Sequence, residues 1–174
     1  MVKPIETTYK GYRFRSRTEA RWAIAFDTQL IEWEYEKEGF PLPCGWYLPD
    51  FWLPQVEMWA EVKGEMFTAE EEEKCAMLTH FTGYECLMLD GQPRDRGYDA
   101  IENITAYKDE NGTEYVQAWD KIDYWPFYEK KYHLSEHRFF CMEAGDPNTN
   151  DWKHPAISAA RAARFEHGES GIAK

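Results

Sequence analysis

The sequence predicts an α/β fold in which a central mixed β-sheet is flanked by helices. Three observations lead there. Two segments show helical periodicity behind N-capping residues, several short segments alternate or run apolar as strands do, and the two kinds interleave along residues 17–91. The 174-residue length suits a single domain on a prior of roughly 100–200 residues per domain. Hydrophobic residues at 43 % and aromatics at 17 % supply far more buriable surface than a disordered chain carries.

Ser16-Arg17-Thr18-Glu19 has capping-box spacing, and Trp22, Ala23, Phe26 and Leu30 follow at helical intervals, which predicts a helix over about 17–29. Ile31, Trp33 and Tyr35 then alternate with Glu32, Glu34 and Glu36, a strand over 31–38 with one wet face. The apolar-rich runs 47–53 and 58–63, separated by Pro54 to Glu57, have the shape of a hairpin that Gly64 ends. Thr68, an acidic first turn, and then Cys75, Met77, Leu78 and Phe81 predict an N-capped helix closed by Gly83. Residues 84–89 form a short apolar strand before Asp90-Gly91.

Beyond residue 92 the chain becomes β-rich and aromatic. Segments 104–107 and 114–119 bracket Asp109 to Gly112 as a hairpin turn, 120–140 has no clear period, and 145–150 is a loop. Pro155 opens a final amphipathic helix to residue 168, with Ile157, Ala160, Arg161, Arg164 and Phe165 along it. The expected organisation is one domain over 1–174, with a core at about 10–90, an aromatic-rich segment at 92–153 and a C-terminal helix at 155–168.

A net charge of −12 excludes a protein that coats nucleic acid through a uniformly basic surface. The sign is uneven. Residues 1–25 hold six cations against Glu6 and Glu19, and Arg13, Arg15 and Arg17 would share one side of an extended segment. With Arg21 they make a phosphate-facing stripe, the candidate nucleic-acid contact. Cys44, Cys75, Cys86 and Cys141 show neither a CxxC pair nor a dense framework, and are expected to be reduced and mostly buried. No apolar run approaches the roughly 18–20 residues of a membrane helix, and the N-terminal residues lack a signal peptide's apolar core, so the expectation is cytoplasmic, without membrane.

The informative stretch is Pro49-Asp50 followed by Glu61-Val62-Lys63. In a strand, Glu61 and Lys63 share a face with Trp59 and oppose Met58, Ala60 and Val62. A symmetric turn about Gln55 and Val56 sets Asp50 against Glu61 and Trp52 against Trp59. Like charges directly opposite destabilise a sheet, so this pair calls for a compensating cation. Oxygen donors from Asp50, Glu61 and the Val62 carbonyl suit Mg²⁺ or Mn²⁺. Lys63 would position water or neutralise charge on a phosphate, which makes metal-assisted phosphodiester hydrolysis the chemistry these groups suit. An exposed hairpin face with Lys63 as a mere salt-bridge partner is the plainer alternative. The surrounding Phe51, Trp52, Trp59 and Val62 favour burial. Glu19, on the helix face that packs on the sheet, would reach the edge of the site. It equally suits the return bond of a capping box, and the two roles are compatible.

These residues carry a resemblance. Phe14-Arg15-Ser16-Arg17-Thr18-Glu19-Ala20-Arg21-Trp22, then Tyr47-Leu48-Pro49-Asp50-Phe51, then Glu61-Val62-Lys63-Gly64 is similar to the PD-(D/E)XK nuclease superfamily, especially its phage-type and transposon end-cleaving branches. It covers about residues 10–90. The resemblance implies a restriction-endonuclease-like core, Mg²⁺ dependence and cleavage of DNA. It makes Glu19, Asp50 and Glu61 metal ligands and Lys63 the catalytic lysine.

Other signals are weaker. His133, His137 and Cys141 recur at intervals of four, as soft metal ligands on a helix would, but Phe139, Phe140 and Met142 around them fit a strand or core segment better. Tyr124, Trp125, Phe127 and Tyr128 suit either a base-stacking platform or a core. Arg161 and Arg164 suit phosphate contact or snorkelling. Against the nuclease stand an inactive nuclease-like interaction module or acidic DNA mimic, which the charge favours, and a hydrolase of small phosphodiesters. The acidity also points to a small DNA footprint, salt-sensitive binding confined to one face, or a protein partner that delivers the substrate; a homodimer is a further partner the sequence leaves open.

Overall fold

A computed structural model describes residues 5–94, 98–108, 114–124, 155–163 and 165. In chain order the elements are β1 (Thr7–Tyr9), β2 (Tyr12–Phe14), α1 (Arg17–Thr28), β3 (Glu34–Tyr35), β4 (Phe40–Leu42), β5 (Gly45–Tyr47), β6 (Phe51–Leu53), β7 (Met58–Lys63), α2 (Ala69–Thr82), β8 (Cys86–Asp90), β9 (Tyr98–Lys108), β10 (Glu114–Tyr124) and α3 (Pro155–Ala162). Six strands form one sheet in the order β10-β9-β8-β7-β6-β3, while β1–β2 and β4–β5 are separate hairpins. Only β7 and β8 run parallel, because α2 carries the chain across between them, so the sheet is mixed as the sequence predicts.

The β6–β7 hairpin adopts the expected register, Phe51 opposite Ala60, Trp52 opposite Trp59 and Leu53 opposite Met58. Alternation then sorts the central strands between two cores. Met58, Ala60, Val62, Leu87 and Leu89 pack with Phe14, Trp22 and Phe26 under α1, joined by Ile157 and Ala160 of α3. Trp59, Cys86 and Met88 pack with Trp52, Cys75 and Leu78 under α2. Burying each of these large side chains contributes about 1.5–3 kcal/mol. The Trp22 indole is satisfied too, donating to the Gly91 carbonyl at 2.9 Å and tying α1 to the end of β8.

The structure departs from the sequence reading at several points. The strand expected over 31–38 shrinks to Glu34–Tyr35, the two residues that pair with β6, and Glu36 (φ 46°) ends it in a left-handed conformation. Leu30 is 83 % exposed, beyond the end of α1 rather than on its buried stripe. The run 47–53 divides. Tyr47 belongs to β5, which pairs with β4 in a hairpin the sequence did not announce, and Pro49, with no N–H for a ladder, lies between β5 and β6. Phe81 and Cys44 are exposed rather than buried. The last helix ends at Ala162, short of residue 168, although Ala163 and Phe165 remain buried. Strands β9 and β10 extend the same sheet as an antiparallel pair, with β10 reaching into the stretch that lacked a period, while the turn expected at 109–112 and the loop expected at 145–150 lie outside the described residues.

Tyr124 closes β10. Trp125, Phe127, Tyr128, His133, His137, Cys141 and Arg164 lie outside the described residues. Among the described residues, no helix is long and apolar enough to cross a membrane.

Candidate active site

Three elements deliver the acids to one place. Strand β7 ends in Glu61, Val62 and Lys63, Asp50 immediately precedes β6, and Glu19 occupies the first turn of α1. All three carboxylates are buried. Trp59 N–H donates to the Glu85 carbonyl at 2.8 Å and Lys63 C=O accepts from Gly91 N–H at 2.7 Å, so alternate residues of β7 spend their backbone groups on β8. Val62 therefore turns its N–H and C=O toward β6. The β6 ladder has already ended at Phe51, and the Asp50 carboxylate takes the freed donor instead, with Oδ2 accepting from Val62 N–H at 2.7 Å.

Asp50 Oδ1 accepts from Arg15 Nη2 at 2.5 Å, and the same guanidinium reaches Glu36 at 2.9 Å. Glu61 Oε1 accepts from Lys63 Nζ at 2.7 Å, with Glu71 at 3.8 Å from that ammonium. Glu61 Oε2 is buried and has no hydrogen bond of ordinary geometry among the described residues, the Tyr47 hydroxyl being the group beside Glu61. Glu19 combines the two roles expected of it. Its N–H donates to Ser16 Oγ at 3.2 Å, while its carboxylate accepts from the Ser16 hydroxyl at 2.7 Å, Tyr35 O–H at 2.6 Å and Arg15 N–H at 3.1 Å.

Burial first, then the charges of Glu61 and Glu19, push the Asp50 carboxyl well above its ordinary range, against the opposing pull of Arg15 and the Val62 N–H. Burial works against the charge on Arg15 and on Lys63. Asp50, Tyr35, Glu19 and Glu36 overcome it for Arg15, and Glu61, Asp50 and Glu71 overcome it for Lys63, so both cations hold their protons more tightly than usual. In this arrangement Lys63 carries its proton and donates to Glu61.

The compensating cation that the facing acids demand is supplied in this structure by Arg15 for Asp50 and by Lys63 for Glu61. Among the described residues no group of three or more His, Cys, Asp and Glu side chains is arranged to hold a metal ion, so Glu19, Asp50 and Glu61 do not converge as a ready three-carboxylate set. Asp50 and Glu61 still fit a hard divalent cation. Their donors are oxygen alone, one of those oxygens is buried without a partner, and the two acids lie close enough to raise the Asp50 pKa, after burial itself.

The four arginines do not form one stripe. Arg13 on β2 pairs with Glu6 at the surface, Arg15 turns into the site, and Arg17 has already entered α1. The Nε atoms of Arg17 and Arg21 are buried without a partner among the described residues, and burial followed by repulsion from Arg17 lowers the Arg21 pKa. Arg15 was expected on a phosphate-facing surface, and its hold on Asp50, with the hydroxyl of Tyr35 on Glu19, had no local signal in the sequence. A cleft of about 450 Å³ opens over Glu61 and Lys63, walled by Arg15, Trp46, Tyr47 and Lys74.

Fold and site together define a mixed α/β chain that holds a buried acid pair, a third acid and a lysine at one end of its central strands. Neither protein-family models, nor curated proteins, nor solved structures yielded a match to it.

Proposed function

We propose that the chain is a metal-dependent nuclease that hydrolyses phosphodiester bonds of DNA, centred on Asp50, Glu61 and Lys63. The observation that carries this reading is Glu61 Oε2, a buried carboxylate oxygen without a partner beside an Asp50 whose ionisation the site resists. Asp50 and Glu61 would hold Mg²⁺ or Mn²⁺, with the Val62 carbonyl on the same side and Glu19 at the edge. Such an ion supplies Lewis-acid polarisation of the phosphate and an acidified water. Lys63 contributes donors that orient the attacking water or a phosphate oxygen, and Glu61 keeps it charged and aimed. Arg15, only partly consumed by Asp50 and Glu36, has further donors for a phosphate oxygen.

The test is incubation with Mg²⁺ or Mn²⁺ and end-labelled single-stranded, duplex and branched DNA, with RNA as comparison. Asp50→Asn and Lys63→Ala are each expected to lose about 10²-fold or more of the rate, with folding checked by circular dichroism. Undiminished cleavage in both variants would overturn the assignment. The −12 charge and the Arg15–Asp50 pairing favour a second reading, an inactive interaction module. It predicts no cleavage and no stabilisation by divalent cations.

A further inference from the structure

The β4–β5 hairpin is amphipathic. Phe40, Leu42 and Tyr47 turn inward against the core beneath α2, while Pro41 and Trp46 stand opposite each other on the outer face. Trp46 is 73 % exposed, an unusual placement for the largest apolar side chain. It is nevertheless seated. A Cβ built on Gly39 would lie 2.6 Å from Trp46 Cε2 and 2.8 Å from Nε1, so the indole lies across the bare backbone of Gly39 in space that any other residue would fill. Gly39 is the diagonal cross-strand neighbour of Trp46, which explains the contact. One side of the ring thus rests on the Gly39 backbone, and most of its surface faces solvent.

That ring also walls the cleft containing Glu61 and Lys63, together with the cations Arg15 and Lys74. An exposed indole resting on backbone beside the proposed reaction centre, with cations in the same cleft that keep further donors, is an arrangement that takes a base by stacking. We propose that Trp46 stacks an unpaired base next to the scissile phosphate, so that the substrate is a nucleic acid with a single-stranded segment. This rests on the nuclease reading for the phosphate and on the Gly39–Trp46 geometry for the base. The bases of an intact duplex already stack on one another and present no free face to the indole.

The experiment measures fluorescence anisotropy of a labelled single-stranded oligothymidine in EDTA, where no cleavage occurs, with a blunt duplex as control. Trp46→Ala is expected to weaken single-strand binding roughly tenfold and to leave duplex binding unchanged, while Trp46→Phe retains most of the affinity. Gly39→Ala keeps the indole but displaces it, and is expected to resemble Trp46→Ala. Wild-type single-strand affinity in Trp46→Ala overturns the stacking role, even if Asp50→Asn abolishes cleavage and so upholds the nuclease. Full affinity in Gly39→Ala overturns the seated platform. Trp46-dependent single-strand binding by a protein that cleaves nothing upholds stacking and removes the nuclease reading.

Discussion

Asp50 is the residue at which fold and proposed function conflict most directly. It is 2 % exposed, bonded to Arg15 and to a backbone N–H, and still harder to ionise than a free carboxyl. Because its folded pKa lies above the unfolded value near 3.9, its contribution favours the fold below that value and is lost as pH rises through the folded pKa. Asp50→Asn is therefore expected to raise Tm near neutral pH, by about 2–4 °C for each kcal/mol of penalty relieved. The gain should shrink as pH falls toward roughly 4, and thermal melts across pH check this. Mg²⁺ or Mn²⁺ should raise the Tm of the wild type and not of the variant. Asp50, Glu61 and Lys63 were legible in the sequence because strand alternation and hairpin register are local rules. Arg15 as the partner of Asp50 was not, since 35 residues separate the two and no periodicity links them.

Helix α2 shows how far local rules reach at the scale of an element. Thr68 accepts from Glu71 N–H at 3.3 Å, the Glu71 carboxylate accepts from Thr68 N–H at 2.9 Å, and Gly83 closes the helix with φ 75°. Cap and terminus fall where the sequence placed them. Thr68→Ala is expected to cost about 1 kcal/mol, read as a lowered urea midpoint with an unchanged m-value. It also removes the hydroxyl bond to Glu71, which faces Lys63, while the backbone bond from residue 68 stays, so the effect on the proposed cleavage reports whether that hydroxyl steadies the lysine through Glu71. The β4–β5 hairpin was illegible for the opposite reason. Its strands are three residues long, and what fixes them is Phe40, Leu42 and Tyr47 meeting a core assembled from β6, β7, β8 and α2. A left-handed residue, Glu36, likewise ends β3 early without a glycine to announce it.

Over the whole molecule the net charge of −12 limits contact with a polyanion to a small area. The cleft offers Arg15, Lys63 and Lys74, with Lys74 shared with Glu70 and Lys63 with Glu61. If these three meet phosphates, log K for single-stranded DNA should fall with log[salt] with a slope of about −2. Titrations at several salt concentrations measure it. A slope near −6 would demand a broad basic face and would contradict the small footprint.

By itself the sequence determined the α/β class, the two capped helices, the β6–β7 register and the candidate trio Asp50, Glu61 and Lys63. These follow from interactions between residues near one another along the chain, where spacing translates directly into geometry. The tertiary structure alone decided that Arg15 neutralises Asp50, that Tyr35 holds Glu19, that one oxygen of Glu61 is left buried without a partner, and that Trp46 sits on Gly39 at the cleft. Each depends on how separate elements pack, and packing is set by the shared core rather than by any local pattern.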